Sequence, residues 1–314
     1  MFLRQLEYLI ALSQEKHFSR AARRCNVSQP SLSNALKQLE AELGTPIILR
    51  HQRFQGFTAE GIRIVEWCKR ILADRNAMLQ ELALLRKNLS GRLRLGAMPT
   101  ATMVLPIFVK EFQTQHPGVQ VEISFLGLDK LRAGLTNFDL DAAITYLDQQ
   151  FDPLASHAIY REHLVLLVPS NDRFPEGNTI TWAEAAKLPL CLLSKHMHER
   201  QLIDDAFRQE GVQPEPRVQS DSIVNLAFHV MQGEMATIVP SHFVHASEVF
   251  TRARVIRLVR PEVSRDIGLV WVEGDPMLPM AKALLETLKD MAASGALTRK
   301  LSIPMRTVAN GPRR

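Results

Sequence analysis

Apolar positions in the first ninety residues recur at helical spacing, and those beyond alternate between helical and strand periods. From Phe2 to about Gln14, Leu3, Leu6, Ile10 and Ser13 share one stripe, with Leu9 and Leu12 beside it. This predicts an amphipathic helix with a wide apolar face. Ser19 is placed to cap a short helix, Arg20–Cys25, whose Ala21 and Ala22 admit close approach of another helix. Asn26 tolerates the left-handed turn that follows, and Val27 can plug the core. Ser28 then caps a longer helix with Pro30 in its first turn, where a missing N–H costs little. Leu32, Ala35, Leu36, Leu39 and Leu43 fall at i, i+3, i+4, i+7 and i+11, and Gly44 is placed to end it.

The opposite face of that helix is Gln29, Ser31, Ser33, Asn34, Lys37 and Gln38, with no acid before Glu40. Flat amides and short hydroxyls pair with base edges in a major groove or with phosphates. Two helices joined by a short turn, the second polar on one face, make a helix-turn-helix. A solvated face is the alternative; the nearby Arg20, Arg23, Arg24, Arg50 and Arg53 favour binding. Residues 45–58 read as a hairpin-like wing, with Arg50 and Arg53 flanking a turn that Gly56 permits. Cations there would meet phosphates or a minor groove, the alternative being a solvated loop.

From Thr58, a good N-cap, the chain has no Pro until Pro99. Val65, Cys68, Leu72, Leu79, Leu82 and Leu89 follow spacings built from 3 and 4, beside a stripe of Ile64, Trp67, Ile71, Met78 and Leu85. A helix of about 30 residues with such a repeat is too apolar to stand alone. It reads as a dimerisation helix, or else as a helix packed on its own domain. Cys68 on this seam behaves as a small core hydrophobe. Ser90-Gly91 marks the end of the linker.

Beyond it, Arg92–Ala97 and Val119–Phe125 read as strands, Pro99–Thr102 leads into a helix through about Gln115, and a helix at Asp129–Leu135 precedes a buried strand, Leu140–Thr145. This βαβαβ rhythm predicts a parallel open sheet. Leu164–Val168, Leu190–Leu193, Arg217–Gln219, Ala236–Val239 and Ile267–Val272 are further strands; Met197–Glu210, Ser222–Met231 and Met277–Met291 are helices. Length and two long crossings, near 160–163 and 264–268, place a second lobe inside the first. Ligands of open α/β sheets gather beyond strand carboxyl ends, near helix N-termini. Thr100 and Thr102 after the first strand, Leu128 after the second and Thr145 ending the third are therefore candidates. Ser194, His196 and Met197 join them from the second lobe. Hydroxyls beside free N–H groups suit a carboxylate or other small oxyanion; helix capping is the alternative role.

Charge sharpens the division. The 314 residues hold 38 Lys+Arg and 33 Asp+Glu, a net of +5. Residues 1–90 carry +6, residues 299–314 carry +5, and residues 91–298 carry −6. A basic head on an acidic body fits a chain that touches a polyanion with one end. No apolar run nears the roughly 18–20 residues of a membrane helix, and no signal peptide is read. Cys25, Cys68 and Cys191 form no pair, so a reducing cytoplasm is expected, and peroxide sensing through paired thiols is disfavoured. His196 and His198 at i, i+2 are weak metal candidates, so no metal or cofactor is expected. Nucleotide-binding, hydrolase and metalloprotease motifs are absent, so no enzymatic activity is expected.

The segment Phe18-Ser-Arg-Ala-Ala through Val27-Ser-Gln-Pro-Ser-Leu-Ser, then Leu36, Leu39, Glu40, Leu43, Gly44, Arg50 and Thr58-Ala-Glu-Gly61, closely resembles the N-terminal domain of LysR-type transcriptional regulators. The R-L-R-L-G start at Arg92, the Pro-Gly-Val ending at Val119 and Leu140-Asp-Ala-Ala-Ile resemble that family's effector domain. The resemblance implies a winged helix-turn-helix at 1–58, a linker and dimerisation helix at 59–90, and a two-lobed, periplasmic-binding-protein-like domain at 91–298. Lobe I would span about 91–162 and 267–298, lobe II about 163–266; beyond the resemblance, 299–314 reads as a basic, disordered tail, the alternative being an auxiliary phosphate contact. It implies contacts to double-stranded DNA from Gln29, Ser31, Ser33, Asn34 and Lys37, and backbone contacts from Arg50 and Arg53. It further implies a small-molecule effector at the loops named above, and a homodimer or homotetramer. Asn34 stands where Arg, His or Gln is more usual, which bears on base preference. The rival readings are a constitutive DNA binder and an enzyme carrying a DNA-binding head.

Overall fold

A computed structural model describes residues 1–50, 54–86, 89–148, 154–245, 253–274, 276–295 and 297. They form two compact units, one built on Met1–Ser90, the other on Gly91–Leu135, Leu140–Met277 and the chain from Ala281.

In the first unit, α1 (Leu3–Glu15), α2 (Phe18–Arg24) and α3 (Gln29–Leu43) pack around Leu6, Leu9, Leu12, Ala21, Ala22, Leu32, Leu36 and Leu39. Ala21 and Ala22 are buried in this core. The short helix begins earlier than expected. His17, not Ser19, caps it: its Nδ1 accepts the Ser19 N–H at 3.2 Å. Asn26 is left-handed at φ 55°, Ser28 caps α3 by accepting the Ser31 N–H, and Gly44 ends α3 at φ 66°.

β1 (Ile48–Arg50) and β2 (Phe54–Phe57) pair antiparallel as the two sides of the wing. Glu40 of α3 anchors it, accepting the N–H groups of Ile47 and Ile48 at 3.0 Å each. α4 (Ala59–Leu85) starts where the Thr58 hydroxyl donates to Pro46 O and accepts the Gly61 N–H. A Cβ on Gly61 would stand 2.1 Å from the Ile47 carbonyl oxygen, so only glycine fits there. α4 divides by burial. Val65 and Cys68 are buried, and Ile64, Ile71 and Leu72 pack on the same core. Trp67, Met78, Leu79, Leu82 and Leu85 are exposed, Leu85 at 78 %. The N-terminal half of the helix therefore packs on its own domain, and the apolar side chains of its C-terminal half are exposed.

The second unit opens with β3 (Ser90–Ala97), a 3-10 turn (Pro99–Met103), α5 (Leu105–Gln115), β4 (Gly118–Phe125), α6 (Leu128–Thr136) and β5 (Ala142–Tyr146). A 16-residue strand, β6 (Leu154–Pro169), then runs through the unit. After it come β7 (Thr179–Thr181), α7 (Trp182–Ala185), β8 (Cys191–Leu193), α8 (His198–Gln209), β9 (Val218–Ser220), α9 (Ile223–Met231), β10 (Thr237–Pro240) and α10 (Ser241–His245). β11 (Ala253–Val259), β12 (Ser264–Val272) and α11 (Pro279–Ala293) complete it.

The main sheet has eight strands in the order β4-β3-β5-β12-β6-β11-β7, with β10 on β6. The expectation of a parallel sheet needs correction. β3 and β5 are parallel, but β12 lies antiparallel to both β5 and β6, and β10 and β11 lie antiparallel to β6. The return of the chain through β6 and β12 produces this mixture. Residues 154–163 of β6 pair with β12, and residues 164–169 pair with β10 and β11. Two lobes follow, joined at residues 163–164 and 263–264. Leu131, Leu135, Leu140, Ala143, Leu154 and Val270 pack in the first. The second has a core on each face of its sheet, around Trp182 and Phe207 and around Leu226 and Phe243. This follows from the alternation of Val165, Leu166, Leu167 and Val168, all buried. Among the described residues no helix is long and apolar enough to cross a membrane.

Candidate functional site

The first candidate surface is the outer face of α3. Packing Leu32, Leu36 and Leu39 inward turns Gln29, Ser31, Asn34, Lys37 and Gln38 to solvent, with Ser33 half-buried. The Ser31 hydroxyl lies 2.8 Å from that of Ser28 at the helix start. No acid lies on α3 before Glu40, and Glu40 is turned to the wing. Arg20 and Arg24 of α2 are each paired with Glu15, at 3.5 and 3.2 Å, while Arg23 is exposed. Arg50 ends β1, but its side chain lies outside the described residues, as do Arg53 and the tail at 299–314.

The second candidate is the seam between the lobes of the second unit. Thr100 is fully buried in the 3-10 turn after β3 and donates to Glu199 Oε1 of α8 at 2.9 Å. Tyr146, ending β5, donates to Glu162 Oε1 at 2.8 Å. His242 of α10 places Nδ1 3.3 Å from Glu162 Oε2 and Nε2 3.4 Å from the Thr100 carbonyl oxygen. At the rim, His198 lies 3.1 Å from Asp148, and Arg265 lies 3.6 Å from the same oxygen.

Burial pushes Glu162 up to about 8; the Tyr146 bond opposes this, and the Glu199 charge adds to it. Burial, then the Glu162 charge, raises the Tyr146 and Tyr160 hydroxyls well above the usual phenol range. The hydrogen bond to Asp148 raises His198 despite partial burial. Burial alone would raise Asp148, but the His198 bond and charge, with Arg265, outweigh it and hold the carboxyl low.

The other expected effector residues are placed as follows. Thr102 donates to Pro99 O at 2.6 Å, closing its own turn. Leu128 packs against the first-lobe core at the start of α6, and Thr145 is buried in β5 opposite Gly268. Ser194 leads out of β8, its N–H bonded to Ser220 O, and Met197 belongs to a second-lobe core. His196 is exposed, 3.7 Å from Asp221. The two histidines of the His-x-His pair thus face different carboxylates. Among the described residues, Thr100 is the expected effector residue with a side-chain hydrogen bond across the seam. Sequence reasoning missed Tyr146, Asp148, Glu162, Glu199, His242 and Arg265. The signal was a carboxylate and a histidine set in apolar surroundings, Glu162 before Leu164–Val168 and His242 beside Phe243.

Cys191 is buried in β8, and burial pushes its thiol up to about 11. Arg200 is buried too, bonded to Asp204, to Leu193 O and to Gln219, so it ties α8 to β8 and β9.

Residues 3–62 match the model of the bacterial regulatory helix-turn-helix of the lysR family, and residues 86–293 match that of the LysR substrate binding domain. The chain belongs to the LysR family. It is 29 % identical over 304 residues to the hydrogen peroxide-inducible genes activator of Haemophilus influenzae, covering 94 % of this chain and 98 % of that protein. It is 26 % identical over 291 residues to the DNA-binding transcriptional dual regulator OxyR of Escherichia coli, covering 92 % and 95 %. These LysR relatives are regulators of transcription, not enzymes. Among solved structures, a full-length OxyR variant from Pseudomonas aeruginosa, with one cysteine replaced by aspartate, superposes with a TM-score of 0.73 at 27 % identity, over 93 % of this chain and 97 % of that one. CbnR in complex with its target DNA shares the fold, with a TM-score of 0.66 at 22 % identity over 93 % of this chain and 100 % of that one.

Proposed function

We propose that this LysR-family regulator binds specific double-stranded DNA through α3 and the wing, pairs with a second copy through α4, and changes its DNA occupancy when a small molecule enters the seam between the lobes. The observation that carries this is the acid-free, exposed face of α3, which turns Gln29, Asn34 and Lys37 to solvent, the residue types that read base edges and phosphates. The domain limits follow the same reading: 1–58 on DNA, 59–90 pairing copies, 91–298 sensing. Such a chain works in the cytoplasm, where its DNA is. Thr100, Thr102, Leu128 and Thr145 from one lobe, with Ser194, His196 and Met197 from the other, are its effector contacts. Opening the seam must first release the Thr100 hydroxyl from Glu199, so effector binding and lobe movement are coupled.

The named relatives make peroxide a candidate stimulus. A buried thiol pushed up to about 11, in a second unit with no other cysteine, does not support a thiol route to it.

A second reading, constitutive DNA binding, draws on the closed seam. The cavity bounded by Tyr146, Glu162, Leu202 and Arg265 holds about 10 Å3, the room of one water. Footprinting the full-length protein on the DNA upstream of its own gene tests both. The expected result is a protected site that shifts or weakens with one member of a metabolite panel. Protection identical across the panel supports the constitutive reading, and no protection overturns DNA binding.

A further inference from the structure

We propose that the seam between the lobes is a proton-operated latch, closed while Glu162 is neutral and His198 is charged, and released as both lose their protons. It goes beyond the effector reading, because the closing ligand is the proton itself.

The geometry sets the latch where the chain crosses between lobes. Glu162 lies in β6 two residues before the strand leaves β12 for β10. It is met from every packed element: Tyr146 from β5, Tyr160 from its own strand, Arg265 opposite it in β12, Glu199 from α8 and His242 from α10. Ionisation would put a charge into the buried space that Glu162 shares with the Glu199 carboxyl. His198, the first residue of α8, reaches Asp148 just beyond β5, with Arg265, Glu199 and the Tyr146 ring, 5.3 Å away, around it. The His242–Glu162 and His198–Asp148 contacts each tie a first-lobe residue to a second-lobe helix.

The two sites have the same sign. In the closed form burial holds the Glu162 proton up to about 8, whereas in an opened, hydrated seam it returns toward the ordinary carboxylate value near ~4.3. Between those values opening releases a proton, so rising pH favours the open form by up to about tenfold per unit. His198 is raised by its bond to Asp148, so it too is released as pH rises past the ordinary imidazole value of ~6.5. Asp148, held low and flanked by Arg265, stays ionised throughout this window. Above about 8 the linkage from Glu162 is spent.

Hydrogen exchange of the free full-length protein tests this, with rates corrected for intrinsic base catalysis between pH 6.0 and 8.5. Amides of 100–103 and 198–202 report the seam, and those of 165–168 report the intact second lobe. The expected result is a tenfold or greater rise in seam opening across the range, with 165–168 unchanged. Glu162→Gln, a neutral carboxyl mimic, should stay closed and lose about half the slope. Should Glu162→Gln disturb 165–168, His198→Gln at the half-buried rim must cut the slope instead. A flat wild-type profile, or a full slope in the variant that keeps 165–168 intact, overturns the latch. Neither DNA nor an effector enters the measurement, so its failure leaves the regulatory reading standing.

Discussion

The Thr100 hydroxyl donates to Glu199 across the seam at 2.9 Å, with both side chains buried, so one hydrogen bond links the turn after β3 to the first turn of α8. Thr100→Val keeps the shape and removes the donor, leaving a buried carboxylate oxygen short of a partner. The expected cost is about 1–3 kcal/mol, a fall in Tm of several degrees by calorimetry. The effector response should be lost while DNA affinity without effector is kept. Thr100→Ser should restore stability; if it melts with the valine variant, the bond is not the cause.

Asn34→Ala should weaken specific binding by about 1–3 kcal/mol and relax the base preference at one position of each half-site. Lys37→Ala should weaken binding to all sequences alike and lower the salt slope of the affinity by about one. Mobility shifts at several salt concentrations separate the two. A double variant that protects its site normally would remove α3 from the interface.

On α4, Trp67, Leu79, Leu82 and Leu85 are exposed, whereas Val65 and Cys68, in the N-terminal half of the helix, are committed to the α1–α3 core. Leu79→Glu with Leu82→Glu should weaken self-association on the order of a hundredfold while helix content by circular dichroism is unchanged. Sedimentation at micromolar concentration gives the answer, and an unaltered oligomer would move the interface elsewhere.

Cys191, pushed up to about 11, carries a negligible thiolate fraction at neutral pH. Cys25 is half-buried and should be alkylated by iodoacetamide first, with Cys191 modified only on unfolding. Cys191→Ser should leave any response to peroxide in a reporter strain unchanged. Loss of that response in a folded variant would instead establish a thiol route.

Glu40→Ala removes the acceptor of two backbone N–H groups at the entry to the wing. The wing should loosen and the domain lose about 2 kcal/mol, read as faster amide exchange at Ile47 and Ile48.

The helix-turn-helix was legible in the sequence because its information is local. The spacing of Leu32, Leu36 and Leu39, the Ser28 cap and the Gly44 stop each act within a few turns of backbone, and each is found where its residue type places it. Even here a nearby competitor changed a detail: the helix starts at Phe18, and the His17 ring accepts a free N–H of its first turn, the role expected of the Ser19 hydroxyl. The two stripes of α4 were equally visible, but how far along the helix they would be covered depended on where α1 packs.

The second unit shows the boundary between the two kinds of information. Residues 154–163 lack an apolar alternation, with Ser156, His157, Arg161 and Glu162 among them, yet they form the first ten of the sixteen residues of β6. They do so because β12, about a hundred residues later, supplies the hydrogen-bonding partner, and no local pattern records a partner at that distance. The same return strand turned an expected parallel sheet into a mixed one. It also set Tyr146, Glu162, Arg265 and the α8 start around one seam. The sequence by itself determined the family, the reading helix and most of the elements, since periodicity, caps and turn residues act locally. Only the tertiary structure decided which buried charges meet, because that depends on strand order, and burial of Glu162 beside Glu199 is a property of no segment alone.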